Sequence, residues 1–180
     1  MSDIKNGVTA NHNQTHQMTV FCQKVLHEIL SMNLSQRKGG YLTILDAKTG
    51  GILAVALIGE IAQKNLLKYF NFSLEKAQRV YTEEISSSYQ SRNLRKGKWA
   101  GAIRGKEYIY SFSGNTEEND EAICLMLCYD TERYIPDEFK TDTRIDSEVR
   151  PIGTISSLEN SNWEPVRLVA QFFTRKAIPA

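Results

Sequence analysis

Apolar residues at Met18, Phe21, Cys22, Val25, Leu26, Ile29 and Met32 recur at three- and four-residue spacing, the signature of one face of an amphipathic helix over 18–32. Polar residues and the pair Gly39-Gly40 end that pattern. Residues 41–45, Tyr-Leu-Thr-Ile-Leu, then suit a strand, because β-branched and large apolar side chains pack well on a pleated surface. The segment Asp46-Ala47-Lys48-Thr49-Gly50-Gly51 carries turn chemistry, since its glycines can take positive φ without steric cost. Residues 52–58 return as the partner strand. They are apolar at nearly every position instead of alternating, which predicts a central strand covered on both faces.

Gly59 stops this strand, and 60–70 can form a short helix. Ser73 is placed to cap a second helix over 74–85: its hydroxyl can accept from the first turn's amides, and Glu75 complements the dipole. Residues 86–98 are polar and end in Arg92, Arg95, Lys96 and Lys98, an exposed connection. Strands over 100–104 and 107–112 follow, joined by Gly105-Lys106 as a two-residue hairpin turn, with Tyr108, Tyr110 and Phe112 on one face. Asn115 and Glu118 have the spacing of a capping box for a helix over 117–129, which turns Ile123, Met126 and Leu127 toward the sheet. Two hairpins with helices between and after them define a mixed α/β chain of the α+β kind.

With 180 residues, 41% hydrophobic and 24% charged, the chain has the size and composition of one ordinary globular domain. A net charge of +1 argues against nucleic acid as a partner, because binding through many phosphates needs a basic footprint. The longest apolar run is far short of the roughly 20 residues that cross a bilayer, which excludes a membrane span. Residues 1–16 are polar, without the apolar stretch of a secretory signal, and read as a disordered leader on a cytoplasmic protein. An odd set of three cysteines, Cys22, Cys124 and Cys128, fits free thiols in a reducing compartment. All four prolines lie beyond residue 135, so 131–180 reads as an extension of different character from the domain at 17–130. Its sparse anchors, Trp163 and Phe172 among them, need a surface on the domain or on a partner subunit, which points to a homo-oligomer.

The order of these pieces resembles the GlcG/HbpS-like family. The resemblance rests on Leu42 through Ala54 as a first hairpin, on Ser73-Leu74-Glu75-Lys76-Ala77 as a helix start, on Gly101-Ala102-Ile103-Arg104 with Ser111-Phe112-Ser113-Gly114, and on Asp120-Glu121-Ala122. It implies a profilin-like, three-layer α/β/α fold with an antiparallel central sheet. The family includes haem-binding and redox-sensing proteins, so the resemblance implies a non-catalytic small-molecule or haem-binding sensor. Against the family pattern, the glycine-rich turn before the second hairpin is reduced to Gly97.

Within that frame Lys76 and Arg79, in the first turns of the expected second helix, could hold a carboxylate or phosphate. Lys76 also matches the family's motif lysine. Ser111, Ser113 and Gly114 end a strand just before a helix start, where free amides could meet a ligand. His27, on the first helix, could ligate haem iron, or simply bond water on a helix face. His12 and His16 fall in the leader. Cys124 and Cys128 stand one helical turn apart, a spacing open to zinc but better explained as core. Glu117, Glu118, Asp120 and Glu121 could bind a cation or merely complement a helix dipole. Ser113 lacks any histidine after it, so no nucleophile and base pair is legible. An enzyme acting on a small anion at Lys76 and Ser113, and an interaction module working through the extension, stand as alternatives.

Overall fold

The computed structural model describes residues 3–31, 36–134 and 136. Strands β1 (Gly39–Asp46), β2 (Ile52–Gly59), β3 (Ala102–Arg104) and β4 (Tyr108–Ser113) form one antiparallel sheet in the order β2-β1-β4-β3. The helices are α1 (Asp3–Ser31), α2 (Leu66–Thr82) and α3 (Glu117–Glu132).

Register sorts the side chains into two faces. Leu42 pairs with Phe112 and Ile44 with Tyr110, which in turn pairs with Ile103. These residues pack with Met18, Cys22, Val25 and Leu26 of α1 and with the run from Ala122 to Cys128 of α3. One residue on in each strand, Leu45, Ile109 and Ala102 meet Ala77 and Val80 of α2 on the opposite face. Helices α1 and α3 therefore cover one side and α2 the other, giving three layers. Each large apolar side chain fully buried here contributes about 1.5–3 kcal/mol relative to exposure.

The expected central strand is an edge strand. Among the described residues β2 pairs only with β1, and Ile52, Leu53, Val55 and Leu57 are 54, 41, 37 and 50% exposed. The alternation of a strand explains why an unbroken apolar sequence is covered on one side only. Ala54 and Ala56, paired with Ile44 and Leu42, pack against the α1/α3 core. Val55 and Leu57 point the other way, where α2 lies over β1, β4 and β3 and not over β2.

Other boundaries shift for local reasons. α2 runs unbroken from Leu66, so Ser73 sits inside it, fully buried, and its hydroxyl donates to Thr43 Oγ1 at 2.8 Å instead of capping a helix. Thr116, not Asn115, caps α3, its hydroxyl accepting from Asn119 N at 3.4 Å. The second hairpin turns through Lys106-Glu107, closed by Gly105 N donating to Tyr108 O. Gly105 has no positive φ; a Cβ there would meet the Glu132 carboxylate, which would have to shift. α1 begins inside the expected leader, and Gln14 Oε1 already accepts from Tyr108 OH at 3.1 Å. Of the extension over 131–180, residues 137–180, with Trp163 and Phe172, lie outside the described residues. Among the described residues no helix is long and apolar enough to cross a membrane.

Candidate functional site

Where β4 ends, three chain segments converge within bonding distance of one side chain. Lys76, 1% exposed on α2, donates from Nζ to Ala100 O at 3.1 Å, to Phe112 O, and to Asp120 Oδ2 of α3 at 3.2 Å. An ammonium has three protons, and here each has an acceptor. Asp120 in turn accepts from Asn115 N at 2.9 Å through Oδ1, tying the turn between β4 and α3 to the same pair. Burial pushes the Asp120 carboxyl above its ordinary range, opposed by the Lys76 charge and by amides of Asn115 and Gly114.

Two glycines make this junction sterically possible. Gly101 adopts φ +116°, and a Cβ there would lie 2.6 Å from Lys76 Nζ. At Gly114 a Cβ would meet Gly40 Cα at 2.5 Å, where the start of β1 crosses the end of β4. Any larger residue at either position would move the polar knot apart.

Beside the knot lies a cavity of about 300 Å³. Tyr69, Phe72 and Trp99 give it aromatic surface, the Phe72 and Trp99 rings standing 6.5 Å apart. Ser113, Gly114 and Thr116 line it at the start of α3. Arg37 and Lys68 bring positive charge to it from exposed positions; Arg37 donates to Asn115 O at 2.7 Å and the Lys68 ammonium lies 5.8 Å from the centre of the Phe72 ring. Glu117 also lines the cavity, but its carboxylate is engaged by Arg92 at 2.8 to 3.0 Å and by Ala100 N at 2.6 Å. The arrangement can hold a small molecule with a flat apolar face while offering hydroxyl and cationic donors to its polar edge.

Of the residues singled out from sequence, Lys76, Ser113, Gly114, Glu117, Glu118 and Asp120 meet at this cavity. Arg79 does not line it. Its guanidinium donates to Ser91 O at 3.1 Å and to Trp99 O and pairs with Glu75 at 3.2 Å, so it fixes the segment carrying Trp99. Burial lowers the Arg79 pKa from its ordinary value, with Glu75, Glu83 and Glu117 opposing. Ser111 lies beneath α2, where its carbonyl accepts from Ser73 at 3.2 Å. His27, His12 and His16 are exposed on α1, across the sheet from α2.

Cys22, Cys124 and Cys128 are buried, and desolvation raises all three thiols, which keeps them protonated and unreactive. The acidic residues of α3 part company: Glu117 with Arg92, Asp120 with Lys76, Glu121 with Ser87 Oγ at 2.9 Å. Among the described residues no three His, Cys, Asp or Glu side chains form a metal-binding group. Sequence reasoning passed over Phe72 and Arg37 as cavity residues, weighed Trp99 only as an aromatic beside the basic residues Arg92, Arg95, Lys96 and Lys98, and missed Asp120 as the partner of Lys76. The signal for Asp120 was present, a carboxylate inside a helix otherwise buried from Asn119 to Cys128, but its partner is 44 residues away in the chain.

The cavity does not fit haem. No His, Cys or Met, the common nitrogen and sulfur ligands of haem iron, lines it. A volume of about 300 Å³ is at the bottom of the range for drug-sized ligands. No family model, curated protein or solved structure matches the chain significantly.

Proposed function

We propose that the protein is a non-catalytic small-molecule-binding or sensor protein, cytoplasmic and of the GlcG/HbpS-like type with a profilin-like sheet, whose ligand occupies the cavity beside Lys76. The observation that carries this reading is the pairing of aromatic surface, Phe72 and Trp99, with a floor whose charges already answer one another. A ligand entering there gains apolar contact without having to break the Lys76 and Asp120 pair. The same geometry supports binding in preference to catalysis at Lys76, since an ammonium with all three protons engaged offers neither a nucleophile nor a free donor for a developing charge. The ligand class that fits is a small planar molecule with one polar or anionic edge, the ring against Trp99 and the edge toward Lys68, Arg37 and Ser113.

Saturation-transfer NMR with a panel of one- and two-ring aromatic acids and their uncharged amides tests this. Binding by the full-length protein that falls about tenfold or more in Trp99→Ala, with the fold intact by circular dichroism, is the expected result, since truncating a central aromatic anchor costs 2 kcal/mol or more. No binding by any member of the panel, or binding equal in the two proteins, removes the cavity as the site.

A further inference from the structure

The cavity beside Lys76 has a neighbour. A second cavity, of about 400 Å³, lies between the start of β1 and the segment that leads from β2 into α2, and Arg37 and Tyr69 line both. The two lobes therefore share a wall. Their chemistry differs: the aromatic surface of Phe72 and Trp99 belongs to the first alone, whereas Lys38, Glu60, Gln36 and Asn65 bring charges and amides to the second. One side of the second lobe is rigid. Gly39 lines it where β1 and β2 pack closely, with Glu60 N donating to Lys38 O at 3.2 Å and room for no Cβ, which would lie 2.5 Å from Ile58 O. At the shared wall Arg37 is anchored by its bond to Asn115 O at 2.7 Å.

We propose that the two lobes form one site for a nucleoside monophosphate, with the base in the aromatic lobe and the sugar and phosphate beyond Arg37 in the second. This rests on the reading of the first cavity as a ligand site. Every base has a flat face that stacks on an aromatic side chain, and the hydroxyls of Ser113 and Thr116 line the same lobe to meet its polar edge. The second lobe selects the rest. An ionised carboxylate only accepts, while an ammonium or guanidinium only donates, so Glu60 calls for hydroxyl donors and Arg37 with Lys38 for anionic oxygens. A sugar phosphate carries both. An aromatic amino acid carries both as well, but its head has few atoms, and the second lobe is larger than the one that takes the ring. Two cations against one carboxylate also suit a phosphate monoester, which bears nearly two negative charges at neutral pH, better than a zwitterion.

NMR titration of the full-length protein with the common nucleosides and their 5′-monophosphates, with tryptophan and the aromatic acids alongside, reads the two lobes separately. The expected result is at least one monophosphate that binds about tenfold tighter than its nucleoside, the usual contribution of a hydrogen bond to a charged group. Lys38→Gln should abolish that advantage and leave the nucleoside unchanged. Lys64→Gln, at an exposed neighbour that lines neither lobe, should alter neither, and Trp99→Ala should weaken both. Lys38 is exposed, so circular dichroism should report an intact fold. Monophosphates no tighter than nucleosides overturn the proposal, as does an advantage that survives Lys38→Gln or is lost equally in Lys64→Gln, or tryptophan binding tighter than every nucleotide. Aromatic acids that bind through Trp99 while no nucleotide binds would leave the first cavity standing as a ligand site and remove the two-lobed assignment; no binding by any probe removes both.

Discussion

The half of the sheet built from β3 and β4 and the half that ends in β2 are held by different physics. On the β4 side, polar side chains reach from each helical layer: buried Lys76 from α2 to the carbonyls of Ala100 and Phe112, buried Asp120 from α3 to Lys76, and half-buried Glu132 from the end of α3 to the hairpin turn. The β2 half has backbone pairing to β1, small alanines beneath α1, and exposed aliphatic side chains. Buried polar groups need particular partners in particular directions, so they fix a geometry; apolar contacts accept many. The pinned half is accordingly where a shaped cavity exists, and the unpinned half ends, among the described residues, in an edge strand with exposed aliphatic side chains.

The sharpest way to break that contrast is to remove the central pin. Lys76→Met keeps most of the side-chain length and leaves Asp120 buried without its cation. A loss of about 3–5 kcal/mol is expected, the usual effect of deleting one partner of a buried ion pair, measured by urea denaturation. The same change at Lys68, exposed on the same helix, should cost within about 0.5 kcal/mol. Equal losses at the two positions would mean that the buried pair does not organise the β4 half.

A second pin predicts an intermediate effect. Glu132 accepts from Lys106 N at 2.7 Å, Glu107 N at 2.8 Å and Tyr110 OH at 2.8 Å. Desolvation raises the Tyr110 hydroxyl far above its ordinary value, with Glu132 reinforcing the shift, so this tyrosine remains a donor. Glu132→Ala removes the acceptor of three donors, of which the two exposed amides can bond water while the buried hydroxyl is left with Thr131. About 1–3 kcal/mol of destabilisation follows, and hydrogen exchange should rise at Lys106 and Glu107 before it rises in β1. Exchange that rises uniformly across the sheet would show that the loss is global and not a release of this hairpin.

How much of this was legible in the chain depends on the range of the interaction. The hairpins, the α1 stripe at Met18, Cys22 and Val25, and the mixed α/β class were readable because they rest on periodicity and local turn chemistry. β2 was misplaced because an unbroken apolar run has the same composition at an edge as at the centre, and only the position of α2 tells them apart. Ser73 resembles a cap in sequence, and its real role requires Thr43, which is 30 residues earlier. At the cavity, Lys76 came from its place at an expected helix start and from a resemblance, and Ser113 and Gly114 from strand-end geometry; Lys76 in fact lies mid-helix in α2, Trp99 was marked only by the basic residues before it, and Phe72 had no local mark separating it from other aromatics. Arg79 carried the right charge, but burial turned it inward to the carbonyls of Ser91 and Trp99.

The smallest expected effect concerns the turn that starts β2, and it tests whether polar fixing on this side acts only locally. Asp46 Oδ1 accepts from Lys48 N at 2.9 Å and Thr49 N at 2.7 Å, with Gly50 at φ +70° completing the turn. Those backbone donors, Thr49 first, hold the Asp46 carboxyl below its ordinary value. A carboxylate depressed by folding stabilises above its unfolded pKa, near 3.9, and that contribution is lost as pH falls through the folded value. The turn is open to solvent, so the effect is slight. Wild type should melt a little higher than Asp46→Asn at neutral pH, and the two curves should converge in acid once the carboxyl is protonated. A difference in melting temperature that persists unchanged through that range would assign the effect of Asn to geometry, and the charge at the β2 turn would then hold nothing in place.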